Sequence, residues 1–338
     1  MDFEFHYWLT GLIAKRAGFT NKEAQTIAST SQFMDENDVL LKIQSKQGCQ
    51  PYKNQISQTM NILKPKMDLM RIYPIFHFIP GEPDAPTAQR RDGKMHLLNT
   101  TPNNFNANEI MDAAFKSSSD IRLYRIGVAT HGYTDSWAHQ NFIGWFDFCN
   151  NIGLDIKPDI GHANAEHQPD WINHQWVDNR LVDPDVNNKL RYLSASKALF
   201  NKYRDYIKTK RKITPAPKWM DLKQELDTLM GPIYSGHRKR YQEERIKRYK
   251  QVLKWEDYDE LRWFNQAIRT EVHGAKDSYK GILATFTLFK AEHFWREDVE
   301  MENTHWYRFQ EAVKEQERMA LKLLAPTFAK MGIDLDSS

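Results

Sequence analysis

Residues Ser117 to Phe142 read Ser-Ser-Ser-Asp-Ile-Arg-Leu-Tyr-Arg-Ile-Gly-Val-Ala-Thr-His-Gly-Tyr-Thr-Asp-Ser-Trp-Ala-His-Gln-Asn-Phe, with His131, Asp135 and His139 at the centre. Ser117, Ser118, Ser119 and Asp120 each offer a capping oxygen, and Leu123, Ile126, Val128 and Ala129 recur at helical rather than alternating spacing. The segment therefore reads as a helix. Steps of four residues drift by roughly 40° around a helix, so residues at i, i+4 and i+8 lie within about 80° of arc. Two imidazoles and a carboxylate then share one face. These are ligands suited to zinc and its neighbours, and a carboxylate between two histidines can bridge two ions. The same trio also suits a solvated polar stripe or a set of satisfied core histidines. Other ligand-type side chains decide between these readings.

Upstream, Phe3, Phe5, Trp8, Leu9, Leu12 and Ile13 mark a helix from Phe3 to Ala17 that ends at Gly18, and Thr20-Asn-Lys-Glu23 opens a second helix as a capping box. His6 lies on the first. Asp35 follows the second in Ser-Gln-Phe-Met-Asp-Glu-Asn-Asp, a composition that also suits a helix-end or turn aspartate. Pro74 and Pro80 keep the apolar segment 72–83 from forming a long helix, and within it His77, flanked by Phe76 and Phe78, is either a core residue or an inward-pointing ligand. Downstream, Gly161-His162-Ala-Asn-Ala-Glu166-His167-Gln-Pro-Asp170 is a second dense group of ligand-type side chains. On a helical turn His162 and Glu166, four apart, face the same side and can clasp one ion, with His167 turned elsewhere. Pro169 ends the turn by Gln168.

The second half reads as mostly helical scaffold, with amphipathic runs near 187–208, 219–229, 238–254, 258–270 and 306–330. The basic run from His237 to Lys250 contains Glu243 and Glu244 and reads as a solvated face with i,i+4 pairs. His96, His174, His237, His273, His293 and His305 have no partner at ligand spacing and are expected to be structural.

With 338 residues, 41% of them hydrophobic, the chain can bury a large core, and the 10 Trp beside only 15 Gly and 14 Pro suit a helix-rich protein. A net charge of +3 permits a phosphate-bearing substrate without arguing for one. Cys49 and Cys149 make neither a disulfide framework nor a Cys-based metal motif. No Gly-rich phosphate loop or Gly-x-Ser-x-Gly elbow is present. The opening Met-Asp-Phe-Glu-Phe-His has no basic leader, and no window approaches a membrane span. The expectation is a soluble cytoplasmic protein, with export by a route needing no signal peptide left open.

Taken in order, His6, Asp35, His77, His131, Asp135, His139, His162 and Glu166 resemble the ligand series of the zinc-dependent phospholipase C and S1/P1 nuclease superfamily. Phe76-His77-Phe78-Ile79 resembles its aromatic-flanked histidine, His131-xxx-Asp135 its central pair and His162-xxx-Glu166 its last pair. The chain is also similar to a bacterial family opening Met-Asp-Phe-x-x-His-Tyr with a Ser-Gln-x-x-Asp segment. The resemblance covers residues 1 to about 170. It implies an all-α multi-helix bundle with a metal-site core over 1–180 and extra C-terminal helices over 181–338, packed as one continuous domain.

It further implies two or three zinc ions. Asp35, His77, His131 and Asp135 would hold one, and His139, His162 and Glu166 a second bridged by Asp135. Asp2 and His6 would form part of a third, where the secreted enzymes use the amine and carbonyl of a processed N-terminal Trp. The implied activity is phosphodiester hydrolysis by a metal-bridged hydroxide, with Asp35 and Asp135 as catalytic carboxylates. Phospholipase C-like action on lipid would use Trp137, Phe142, Trp145, Phe146 and Phe148 as an apolar rim at a membrane surface. The alternatives are a single-strand nuclease using the Arg238–Lys250 track, or a non-catalytic metal-stabilised interaction protein. No obligate protein partner is implied.

Overall fold

A computed structural model describes residues 1–45, 50–59, 61, 64–153, 157–212, 217–235, 239–273 and 290–335. The N-terminal segment winds as a π-helical turn, Glu4–Leu9, before tightening into α1 (Thr10–Ala17). Gly18 ends α1 with φ 110°, a left-handed conformation that a residue without Cβ adopts unstrained. Thr20 and Glu23 exchange hydrogen bonds in the capping box and start α2 (Asn21–Phe33).

There follow β1 (Lys42–Gln44), β2 (Tyr52–Lys53), α3 (Lys66–Met70), a second π-helical turn Tyr73–His77, α4 (Phe105–Lys116) and α5 (Arg122–Ala138). Short strands β3 (Phe146–Asp147), β4 (Asp159–Ile160), β5 (Gln175–Val177) and β6 (Asp185–Asn187) separate this part from α6 (Asn188–Arg211). The chain continues through α7 (Trp219–Met230), α8 (Lys239–Leu253), α9 (Arg262–Ala267), β7 (Ile268–His273), β8 (Lys290–Trp295) and α10 (His305–Lys330). Cys49 and His237 lie outside the described residues.

The expectation of an all-α bundle is corrected: the fold is mixed, 54% helix and 11% strand. A four-stranded sheet runs β2-β1-β8-β7, with β1 and β8 parallel and the other pairs antiparallel, and β3–β4 and β5–β6 form two small antiparallel pairs. The amphipathic run over 258–270 conceals the change. Its helix stops at Ala267, the backbone becomes extended at Ile268, and Ile268, Thr270 and Val272 alternate as β-branched residues do in a strand. The C-terminal part is thus not a purely helical extension. Its strand β8 pairs with β1 of the first half, and the β5–β6 hairpin straddles position 180.

Helix α5 is the hub, packed against α2, α4, α6, α10 and the turn at Tyr73–His77. One apolar cluster runs through both halves and includes Trp8, Ile27, Val128, Tyr192, Leu226 and Phe309. Within it, buried Arg125 reaches Glu315 at 3.1 Å and Gln316 at 2.7 Å on α10. Gly132 lets the Tyr73–His77 turn lie directly on α5, because a Cβ there would sit 2.6 Å from the carbonyl oxygen of Phe76. The serine-rich run before α5 does not cap it. The helix begins at Arg122 with no side-chain cap, while Ser117 Oγ donates to Glu315. Among the described residues no helix is long and apolar enough to cross a membrane.

Candidate metal centre

Helix α5 carries His131 and Asp135 one turn apart on its buried face, and His139 follows at the helix end. Asp135 is the centre of the arrangement. Its Oδ2 lies 3.2 Å from His131 Nε2, 3.5 Å from His77 Nδ1 and 3.6 Å from His139 Nδ1, and its Oδ1 lies 3.1 Å from His6 Nε2. Asp35, just past α2, brings Oδ1 to 3.5 Å from His131 Nε2 and 3.8 Å from His77 Nδ1. His139 Nε2 and His162 Nε2 each approach a carboxylate oxygen of Asp170 at 3.3 Å. The nitrogen of Met1 contacts Asp135 and lies 3.3 Å from Asp170 Oδ1.

The imidazoles are oriented from behind. His77 Nε2 faces the carbonyl of Ser57 at 2.8 Å, His131 Nδ1 that of Ser31 at 2.8 Å, His139 Nδ1 that of His77 at 2.9 Å and His162 Nδ1 that of Glu166 at 2.7 Å. A carbonyl oxygen only accepts, so each of these ring nitrogens carries the hydrogen and the opposite nitrogen turns a lone pair inward. His131 Nε2 and His77 Nδ1 then lie 2.9 Å apart with both lone pairs directed at carboxylates. Such a convergence of acceptors calls for a cation. Consistently, among the described residues the buried Oδ2 of Asp135 has no hydrogen-bond partner, and His6 Nε2 has only the Asp135 carboxylate beside it.

The electrostatics favour the His6 and His162 imidazoles and the carboxylates in their ligating forms, whereas the Met1 amine, against burial but beside Asp135 and Asp170, is raised to about 11 and keeps its proton. Burial, then neighbouring His131, lowers His6 to a pKa of about 4, and burial lowers His162 as well. Burial pushes Asp135 up, but His139, the Met1 amine, His131 and His6 outweigh it and hold the carboxyl well below the usual range. Asp170 is likewise held low against burial by His162 and the Met1 amine. Among the described residues three groups could each hold a metal ion: His6, Asp35 and His131; His77, His131 and Asp135; and His139, His162 and Asp170. The first two share His131 and form two sides of one cluster.

Glu166 and Asp2 lie outside these three groups. Glu166 sits at φ 53° after a short 3-10 turn, Ala163–Ala165, so His162 and Glu166 do not share a helical face. It is the main-chain carbonyl of Glu166 that meets His162, while its exposed side chain borders the cavity. The carboxylate that meets His162 is that of Asp170, brought round by the turns after His167. Exposed His167 lies only at the edge, 3.9 Å from Asp170. Asp2 belongs to no ligand group. Its Oδ1 accepts from Glu4 N at 3.1 Å, its Oδ2 meets Gln242 Nε2 at 3.4 Å, and burial followed by repulsion from Glu4 pushes its carboxyl well above the usual range. Asp170 was visible in sequence as the last acid of the Gly161–Asp170 group. Nothing in sequence spacing pointed to the Met1 nitrogen.

The cluster opens into a cavity of about 630 Å³ walled by Tyr73, Phe78, Ile160 and Trp171 and rimmed by Asp2, Glu166 and Gln242. No Lys or Arg is among its described lining residues. The expected apolar rim is only partly on the surface. Trp137 and Phe142 are buried, Trp145 and Phe146 half-buried, and Phe148 exposed. The basic helix α8 departs from a wholly solvated face. Arg240 and Glu244 form an exposed i,i+4 pair, but Arg245 is buried against Glu4. Among the histidines expected to be structural, His305 Nδ1 lies 2.7 Å from Tyr124 Oη and its ring stacks on Trp263.

The chain matches over residues 1–324 the model of a family described as "Family of unknown function (DUF6765)", and it belongs to that family. Searches among curated proteins and among solved structures give no match to the chain.

Proposed function

We propose that the protein is a zinc-dependent phosphodiester hydrolase of the phospholipase C and S1/P1 nuclease type, acting on a lipid phosphodiester. The observation that carries the reading is Asp135, a buried carboxylate whose two oxygens face different histidine groups. Atoms bound tetrahedrally to zinc at about 2.0–2.2 Å lie roughly 3.3–3.6 Å from one another. The separations of 2.9 to 3.8 Å linking His77 and His131 to each other, to Asp35 and to Asp135 bracket that value. On this reading His77, His131, Asp35 and Asp135 hold one ion, and His139, His162 and Asp170 a second. His6, with the far oxygen of Asp135, forms part of the seat of a third.

Bound zinc supplies a water with a pKa near 7 and neutralises charge on the phosphate. The chain's own groups do the rest. Asp135 fixes the two histidine groups relative to each other, and the inward tautomers of His77, His131, His139 and His162 are locked by their carbonyl partners. Asp35 is the carboxylate of the central cluster most open to the cavity, with its side chain 31% exposed, and is placed to orient the attacking water and accept its proton. Tyr73, Phe78 and Trp171 pack around the substrate and exclude water.

The lining favours lipid over nucleic acid. A polyanionic strand held by phosphate contacts needs Lys and Arg along its path, and none is among the described lining residues, which include the exposed Glu166. One phosphodiester with a cationic or neutral head group suits an acidic, aromatic cavity better. The test compares phosphatidylcholine and phosphatidylethanolamine micelles, single-stranded DNA and RNA, and an aryl phosphodiester at two salt concentrations, with Asp135→Asn as control. Head-group release from lipid is expected, lost in the control and weakly dependent on salt. Salt-sensitive nucleic-acid cleavage without lipid turnover would make the protein a nuclease, and no turnover of any substrate would make it a metal-stabilised binding protein.

A further inference from the structure

His6 differs from the other histidines of the centre. His77, His131, His139 and His162 are each held by a main-chain carbonyl at 2.7 to 2.9 Å, whereas His6 Nδ1 has only the Ser31 hydroxyl at 3.4 Å. Its ring stacks on His131 with centroids 3.9 Å apart, a contact that leaves rotation in the ring plane free. Where His6 points is therefore decided mainly by where its main chain lies. That main chain is anchored two residues earlier. Glu4 is fully buried and takes a bidentate pair from Arg245 of α8, Nε to Oε1 at 2.8 Å and Nη2 to Oε2 at 2.6 Å. Tyr249 Oη adds a third bond to Glu4 at 3.2 Å, and Tyr234 Oη contacts Arg245 from the other side. One turn earlier on α8, Gln242 reaches Asp2 at 3.4 Å.

A buried ion pair gives little net stability because desolvation offsets most of the attraction, but it tolerates only one geometry. We infer that Arg245 is a positioning residue of the metal centre: by seating Glu4 it aims His6 at Asp135 and so sets the affinity of the metal position that His6 helps to form. Among the described residues, the C-terminal half thus reaches the centre through the N-terminal turn without lending it a ligand. The inference rests on the multi-metal reading above.

The test loads the metal-free full-length protein with cobalt(II) and follows its visible absorption, which reports each position separately. His6→Ala identifies the component belonging to the His6 position. Arg245→Met leaves Glu4 buried without its partner and is expected to weaken that same component by about 10- to 100-fold, the range for losing an outer partner of a ligand, while the other components keep their affinity. Arg245→Lys retains the charge without the bidentate geometry and is expected to give a smaller loss of the same component with the metal-free melting temperature unchanged. Components that fall together in proportion to the folded fraction, or a His6 component untouched in both variants, would overturn the inference. A wild-type protein that takes up no cobalt would overturn the metal reading beneath it, a distinguishable result.

Discussion

The chain writes the same four-residue interval twice, His131 to Asp135 on α5 and His162 to Glu166 after β4, and the two regions use it differently. On α5 the interval is carried by continuous helix, both side chains point inward, and their ligand atoms lie 3.2 Å apart. After β4 it crosses a single 3-10 turn and a residue with positive φ, and the carboxylate that meets His162 is Asp170, eight residues on. Spacing specifies direction only where the backbone between is regular. Acidic residues in the irregular loop must be placed by contacts, here by Tyr192 Oη on the Asp170 carbonyl and by Asn188 Nδ2 on that of Gln168 at 2.7 Å.

Four substitutions test this contrast. Asp135→Ala removes the helix-held carboxylate that faces His77 and His131 with one oxygen and His6 with the other, and its effect is expected to be the largest. Losing an outer partner of a metal ligand costs 10- to 100-fold, so losing the bridge itself should lower turnover by at least about 100-fold. It should also remove the metal-dependent rise in melting temperature, roughly 5 °C at a hundredfold excess of zinc over its dissociation constant. Calorimetry with and without chelator measures it, and an unchanged rise would end the bridging role.

The turn-held region is tested by a pair. Asp170→Asn should weaken zinc binding by about 10-fold or more, while Glu166→Gln should leave it within about twofold, because only the Glu166 main chain touches His162. Competition against a chromophoric chelator reads both, and the reverse order would restore Glu166 as the ligand.

The smallest effect concerns the anchor of the turn. Asp147 on β3, paired with β4, accepts from Cys149 N at 2.7 Å and meets His96 at 3.5 Å, and chiefly the His96 hydrogen bond holds its carboxyl well below the usual range. A carboxyl depressed in the folded state stabilises above its unfolded pKa of about 3.9 and loses that contribution as pH falls. Asp147→Asn should therefore melt a degree or two below wild type near pH 6, a surface-scale effect, with the gap closing below about pH 4. A gap independent of pH would assign the loss to packing.

What was legible in the sequence follows the same line. Gly18, the Thr20 capping box and the helical face of His131 and Asp135 could be read because each is decided within one turn of helix. His77 could be placed in an apolar segment but not aimed, since its direction depends on Gly132 letting the Phe76 carbonyl approach α5. Strand β8 pairs with β7 nearby, but its place in the four-stranded sheet depends on β1, about 250 residues away, which local sequence does not show. Arg245 looked like one more charge on a wet helix until Glu4 appeared opposite it.

The Glu4–Arg245 contact also carries a consequence for synthesis. Arg245 leaves the ribosome about 75 residues after Asp170, which at roughly 5–20 residues per second is a delay of about 4–15 s. During that interval every histidine and aspartate of the centre has already been made, but the residue that seats the first of them has not. On the multi-metal reading, the nascent chain would meet the cell's metal pool with a partly built cluster, and the His6 position would be the last to mature.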